Sequence, residues 1–217
     1  MPQNENKQIS PAVAHRLPRY YRYLSDLIKN EKYKISSEEL SKLMNITASQ
    51  IRQDLNCFGG FGQQGYGYNT QLLHGEIGRI LGVERGFSAV IAGVGNLGRT
   101  ISKSGLFSKR GIVLSGLFDI NPSIIDSEAA GFKVMDIKDA ARFCSENKTD
   151  IAVLTLPKDE TEPVANMLAE AGVKGFWNFS NMELKIDKPG VKVQNMHMGD
   201  SLMRLCYELN SNKNDGS

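Results

Sequence analysis

Ala89-Val-Ile-Ala-Gly-Val-Gly-Asn-Leu-Gly98 is the stretch on which the fold turns. Its apolar start reads as a buried strand that runs into Gly-x-Gly-x-x-Gly and then into a helix, the order of a dinucleotide-binding fingerprint. Each glycine has its own job in such a turn. Gly93 permits the tight bend, Gly95 lets the backbone approach a pyrophosphate, and Gly98 lets the helix pack closely on the strand. A helix beginning near Asn96 aims free N–H groups and its positive dipole end at the phosphates. Gly93, Val94, Gly95, Asn96, Leu97 and Gly98 are therefore the expected cradle. Glycine-rich turns also arise for purely steric reasons, so the surroundings have to carry the reading.

Downstream, Val113-Leu-Ser-Gly-Leu-Phe118 reads as a second strand ending in Asp119. That is about the distance at which an acid accepts hydrogen bonds from an adenosine ribose. An acid there repels a 2′-phosphate, which favours NAD+/NADH as the bound ligand. The plainer alternative is that Asp119 caps the strand and starts the Asn121-Pro122 turn. A short strand follows near Phe132–Val134, then a helix from about Asp136 to Asn147. The continuous apolar run Asp150-Ile-Ala-Val-Leu-Thr-Leu-Pro157 suits a buried parallel strand. It ends in Thr155, Leu156 and Pro157, close to where open α/β sheets hold ligands, so these three join the cofactor candidates. A helix over 159–171 and strands at Gly175–Phe179 and Val191–Val193 bring the expected sheet to six strands.

The residues before the fingerprint are too many for a tail. Leu17, Tyr20, Tyr21, Leu24, Leu27 and Ile28 recur at helical spacing, with Pro18 placed in the first turn. Arg16, Arg19 and Arg22 form a basic stripe on the remaining surface. Ser36-Ser-Glu-Glu39 and Thr47-Ala-Ser-Gln50 are two capping boxes joined by a brief turn, the signature of helix-turn-helix. In the second of these helices, Ala48 to about Phe58, Ile51, Leu55 and Phe58 face inward. Ser49, Arg52, Gln53 and Asn56 then face outward, and Arg suits guanine as Gln or Asn suits adenine; a merely solvated face is the alternative. Gly59-Gly-Phe-Gly-Gln-Gln-Gly-Tyr-Gly-Tyr68 holds five glycines and three aromatics in its span. Interleaved aromatics argue for a wing-like hairpin over a flexible linker. The wing brings Gln63, Gln64, Tyr66 and Tyr68 to the DNA backbone or minor groove. Thr47 and Gln50, at the helix start, complete the DNA-binding candidates.

Bulk properties agree. Of 217 residues 41% are hydrophobic and 23% charged, as in one medium or two small soluble domains. Residues 1–70 hold nine Lys/Arg against six Asp/Glu, so the basic excess lies N-terminal. Cys57, Cys144 and Cys206 are odd in number and widely spaced, which points to a reducing, cytoplasmic compartment and to no metal site. No apolar run approaches a membrane span, and the polar start is no signal peptide. The expected division is 1–83, a helical DNA-binding unit; 84–198, a Rossmann unit after a hinge at Glu84-Arg-Gly86; and 199–217, a last helix and tail. Leu202, Leu205, Cys206 and Leu209 give that helix an apolar stripe that either folds back on its own domain or packs on a second subunit.

The combination resembles the Rex family of redox-sensing transcriptional repressors. The resemblance rests on Arg16-Leu-Pro-Arg-Tyr-Tyr-Arg22, Ile51-Arg-Gln-Asp-Leu-Asn56, Phe58-Gly-Gly-Phe-Gly-Gln-Gln-Gly-Tyr-Gly-Tyr68, Gly93-Val-Gly-Asn-Leu-Gly98, Phe118-Asp119, Leu154-Thr-Leu-Pro157 and Gly175-Phe-Trp-Asn-Phe179. It implies an α/β protein with an N-terminal winged helix-turn-helix, a doubly wound parallel Rossmann sheet and a C-terminal helix that crosses into the partner of a homodimer. It implies binding to an inverted-repeat operator and release when NADH replaces NAD+. Two positions depart from the family pattern: Ser104 stands where the family has a Tyr, and His197 where it has an Asp. An enzyme is the competing class, but a dehydrogenase needs a proton-transfer residue and a substrate domain. Of His15, His74 and His197 only the last is suitably placed, and little chain is left for a second domain. A CoA-binding Rossmann module is the nearer alternative, against which Asp119 and the winged helix argue.

Overall fold

Ser10 starts the first helix, its hydroxyl accepting from Val13 N at 3.4 Å while Pro11 takes the first helical position, where a missing N–H costs nothing. The computed structural model describes residues 9–57, 62–63 and 67–214. Helix α1 (Pro11–Lys29) buries Val13, Leu17, Tyr20 and Leu24. Pro18 lies in its interior and not in its first turn, because Ser10-Pro11 is itself a complete start signal. After β1 (Lys34–Ile35) comes α2 (Ser37–Met44), opened by a full capping box of Ser36 with Glu39 and closed by Asn45 in the left-handed conformation. Thr47 caps α3 (Ala48–Asn56), which ends short of Phe58; Phe58 lies outside the described residues.

β2 (Gly62–Gln63) pairs antiparallel with β3 (Gly67–Asn69), which pairs with β1, so the small sheet runs β1-β3-β2. Gly67 has φ +73°, and a Cβ there would sit 2.7 Å from the Ile35 carbonyl oxygen. Only glycine lets the hairpin lie this close to β1. Asn69 caps α4 (Thr70–Leu81), and Gly82 ends it in the left-handed region. Helix, helix-turn-helix and a hairpin on a three-stranded sheet make this unit a winged helix.

The chain divides between Glu84 and Arg85, next to Gly86 at φ +66°. The second unit alternates strand and helix: β4 (Ser88–Ala92), α5 (Asn96–Lys103), β5 (Val113–Asp119), β6 (Glu128–Ala129), β7 (Phe132–Asp136), α6 (Ala140–Glu146), β8 (Ile151–Leu154), α7 (Lys158–Glu170), β9 (Gly175–Asn178), β10 (Lys192–Asn195) and α8 (Met198–Asn214). The sheet order is β10-β9-β8-β4-β5-β7-β6. All pairings are parallel except β6 with β7. The seventh strand, absent from the sequence expectation, is a two-residue edge hairpin. The remaining strands have the Rossmann order, which reverses direction between β4 and β8.

Both faces of β4 are covered, as a parallel sheet requires. Val90 and Ala92 pack with Phe118, Leu154, Leu168 and Phe176 on one face; Ala89 and Ile91 pack with Val94, Leu117 and Val153 on the other. Trp177 lies on the second face, edge-on to Phe179 with ring centroids 4.5 Å apart. Helix α8 is longer than the expected 199–210, and its stripe stays uncovered: Leu202, Leu205, Cys206 and Leu209 are all exposed.

Candidate functional sites

On α3, Ser49, Arg52, Gln53 and Asn56 are all exposed and stand at i, i+3, i+4 and i+7, one face of the helix. Thr47 Oγ1 accepts from Gln50 N at 3.1 Å, and Arg52 Nη1 donates to Ser37 Oγ at 3.0 Å. The opposite face carries Ile51 and Leu55, and between them Asp54, a carboxylate with no exposed surface.

Four donors satisfy Asp54. Arg16 donates from Nε to Oδ2 at 2.6 Å and from Nη2 to Oδ1 at 2.7 Å; Tyr20 Oη donates to Oδ2 at 2.9 Å and Gln50 Nε2 to Oδ1 at 2.8 Å. Burial by itself would raise the Asp54 carboxyl, but the hydrogen bonds from Arg16, Gln50 and Tyr20 outweigh it and hold the group below the usual carboxylate range. Burial, and then the bond to Asp54, push the Tyr20 hydroxyl up. The sequence reading missed this cluster. Its signal was available, since Asp54 shares helical spacing with Ile51 and Leu55.

The basic stripe of α1 is consequently not uniform. Arg16 is tied to Asp54, whereas the guanidinium groups of Arg19 and Arg22 lie over the Tyr23 ring at 5.9 and 5.4 Å from its centroid. Tyr68 departs from the expectation of an outward wing residue: its side chain is buried with Leu17, Tyr20 and Ile35 in the core of the unit. Strand side chains alternate, and the residue that ends the wing turns inward. Gln64 and Tyr66 lie outside the described residues, and Gln63 is described only as part of β2.

In the second unit, Gly93 has φ +98°, and a Cβ there would lie 2.6 Å from the Thr155 carbonyl carbon and oxygen. A Cβ on Gly98 would run into the Gly93 carbonyl. Gly95 differs. Its φ of −69° suits any residue, and a Cβ on it would meet no described atom within 4 Å. Thr155 Oγ1 donates to the Gly93 carbonyl at 2.5 Å and fixes the floor of the turn. Side chains cap α1 to α4, but none caps α5. The first-turn N–H groups of a helix have no partner within it, so the start of α5 is an open set of donors.

Val94 is not one of them. Its side chain is in the core and its N–H donates to Asp119 Oδ2 at 2.5 Å. Leu156 likewise turns its side chain into the core. Asp119, nearly fully buried, also accepts from Asn121 N at 2.8 Å, so it both holds the glycine turn and starts the Asn121-Pro122 turn. Arg99, which the sequence reading did not single out, bonds from Nε to Val94 O at 3.0 Å and from Nη2 to Ser127 Oγ at 3.2 Å. It braces the same turn from the helix side. Gly95, Asn96 and Pro157 remain exposed at the C-terminal edge of the sheet.

Ser104 ends α5, its hydroxyl donating to Ile101 O at 2.7 Å, and His197 Nε2 lies 3.0 Å from Glu183 Oε2 just before α8. Cys57 packs against the winged-helix core with its thiol donating to Gln53 O, Cys144 is buried, and Cys206 is exposed. Among the described residues there is no cluster of His, Cys, Asp and Glu that could hold a metal, and no helix long and apolar enough to cross a membrane.

Residues 8–56 match the family described as "Putative DNA-binding protein N-terminus", and residues 86–182 the family described as "CoA binding domain". The chain is 49% identical over 208 residues to a redox-sensing transcriptional repressor Rex of Clostridioides difficile, covering 96% of this chain and 99% of that one. It is 47% identical over 207 residues to the Rex of Thermoanaerobacter pseudethanolicus, covering 95% and 92%. Two solved structures of RSP superpose closely. The complex with β-NAD+ and operator DNA gives a TM-score of 0.88 at 46% identity, covering 94% of each chain. The complex with β-NADH gives 0.87 at 43% identity, covering 95% and 96%.

Proposed function

The chain belongs to the Rex family of redox-sensing transcriptional repressors, and on that premise we propose that it represses transcription from an inverted-repeat operator and lets go when NADH replaces NAD+. Residues 1–83 bind DNA, 84–198 hold the dinucleotide, and 199–217 make the homodimer. In the winged helix, Arg52, Gln53, Asn56 and Ser49 read base edges from α3. Arg19 and Arg22, with the wing around Gln63, Gln64 and Tyr66, hold phosphates. In the Rossmann unit the open N–H groups of Gly95, Asn96 and Leu97 take the pyrophosphate, Asp119 sets the turn beside the adenosine ribose, and Thr155 and Pro157 flank the nicotinamide side. The protein measures its ligand and does not turn it over, and it acts in the cytoplasm.

Gly95 is the observation that carries the ligand half of this reading. Neither backbone conformation nor internal packing asks for glycine there, and its place at the uncapped start of α5, beside a turn that Gly93 and Gly98 close tightly, suits the close approach of a pyrophosphate to the backbone. The fold match to a CoA-binding domain would fit the same turn, but the relatives solved with β-NAD+ and β-NADH favour the dinucleotide.

A switch needs unequal binding of two ligand forms to two conformations. Removing a hydride makes the nicotinamide cationic, so residues beside the ring can bind the two forms differently. In a dimer the spacing of the two α3 helices sets operator affinity, and a change in how the subunits pack changes that spacing. The decisive experiment is an operator titration with NAD+, with NADH and with neither. Release by NADH alone is expected; equal binding in all three would refute the sensor. In a companion measurement Gly95→Ala should melt like the wild type yet lose dinucleotide affinity in calorimetry.

A further inference from the structure

We propose that Asp54 is a positioning residue for DNA contact: it grips one edge of the Arg16 guanidinium so that the other edge is presented to a phosphate. This inference rests on the DNA-binding reading of the winged helix. Asp54 itself is sealed, with no exposed surface and all its acceptor sites engaged by Arg16, Tyr20 and Gln50. It can touch no ligand. Arg16 is different, for its side chain keeps 29% of its surface accessible. A guanidinium is a rigid plane of N–H donors. The N–H of Nε and one N–H of Nη2 go to Asp54 at 2.6 and 2.7 Å, which leaves both N–H groups of Nη1 and the second of Nη2 on the other edge.

A free arginine loses side-chain entropy when it settles on a phosphate, and this one has already lost it. The grip also spans two elements, since Arg16 belongs to α1 and Asp54 and Gln50 to α3. One carboxylate therefore sets a backbone anchor and the start of the reading helix in a common frame.

The test uses the full-length protein and a duplex of arbitrary sequence, a few helical turns long, titrated by fluorescence anisotropy over a series of KCl concentrations. On such DNA affinity comes from phosphate contacts, and each one lost lowers the log–log salt slope by about 0.9. Asp54→Asn gives a test of sign. If the carboxylate were only a negative charge near DNA, its removal would tighten binding; as a positioning residue, its removal weakens binding about 5-fold or more and flattens the slope.

Arg16→Lys keeps the charge and an ion pair with Asp54, so its winged helix folds even where Asp54→Asn does not. The ammonium engaged by Asp54 has no second planar edge, and the slope should fall by about 0.9 per subunit. Circular dichroism melts establish that each variant is folded. Wild-type slope and affinity in folded Arg16→Lys, or tighter binding by folded Asp54→Asn, would overturn the proposal while leaving the winged helix a DNA binder. Failure of the wild type to bind the duplex would refute the DNA-binding reading itself.

Discussion

Helices α3 and α5 are nine and eight residues long, and each is set by a buried carboxylate, but the two carboxylates hold different things. Asp54 gathers side chains: both nitrogens of the Arg16 fork, the Tyr20 hydroxyl and the Gln50 amide. Asp119 gathers backbone, the N–H groups of Val94 and Asn121. The difference follows from what each helix offers its ligand. Base edges are told apart by side chains, and in the proposed reading α3 presents its own from a helix tied to α1 through Asp54, with its first turn closed by the Thr47 hydroxyl. Main-chain N–H groups hold phosphates, and in the proposed reading α5 offers such donors from an entry turn that Asp119 fixes and a first turn that no side chain caps.

The largest expected effect is at the backbone-held turn. Gly98→Ala puts a methyl group against the Gly93 carbonyl and 2.8 Å from Thr155 Oγ1, with neither neighbour free to retreat. Urea unfolding should show a loss of about 3 kcal/mol, and dinucleotide binding should go with it. A variant that unfolds like the wild type would break the claim that this turn is rigid. At the side-chain-held helix, Arg52→Ala should cost on the order of 1–3 kcal/mol and relax discrimination among single-base operator variants. Arg19→Ala should instead weaken all sequences alike and flatten the salt dependence.

Asp119→Asn sharpens the contrast. It keeps the shape but offers an amide where two backbone donors need acceptors, so a stability loss of about 1–2 kcal/mol is expected together with weaker NADH binding. Intact NADH affinity with newly gained NADPH affinity, read by calorimetry, would mean that the carboxylate serves the ribose alone.

The smallest effect is on pH. Asp54 is held below the usual range by Arg16, Gln50 and Tyr20 against the opposing pull of burial; Lys32 and then Ser36 hold Glu39 at about 2. A lowered folded-state value stabilises above the unfolded value of about 4 and is lost as pH falls through the folded one. Burial also lowers the His74 imidazole, so winged-helix stability should begin to fall below the unfolded histidine value of about 6.5 and, with the loss from Asp54 and Glu39, decline further from about pH 5 toward pH 2, a trend that thermal melts followed by circular dichroism would check.

The turn and the sheet were legible because their signals are local. A continuous apolar strand, glycines at set intervals and an acid at a set distance name the Rossmann unit without tertiary information. The two-residue strands β1 and β6 carry no periodicity to read. Tyr68 was misplaced because composition announces a wing but not which way its strands face, and one step of register reverses a side chain. Spacing located Asp119 without naming its donors, the N–H groups of Val94 and of Asn121 in the turn that follows the strand. Arg16 counted as a surface cation because its partner lies 38 residues away.

The only tryptophan of the chain, Trp177, sits in β9 beside Phe179, within the unit assigned to the dinucleotide and not in the one assigned to DNA. Indole emits in the region where a reduced nicotinamide absorbs and an oxidised one does not. The molecule thus carries a built-in optical donor, quenched by energy transfer to one redox form of its ligand and not to the other. Occupancy by the reduced form can be followed in the unlabelled protein, with operator present, as a change of colour.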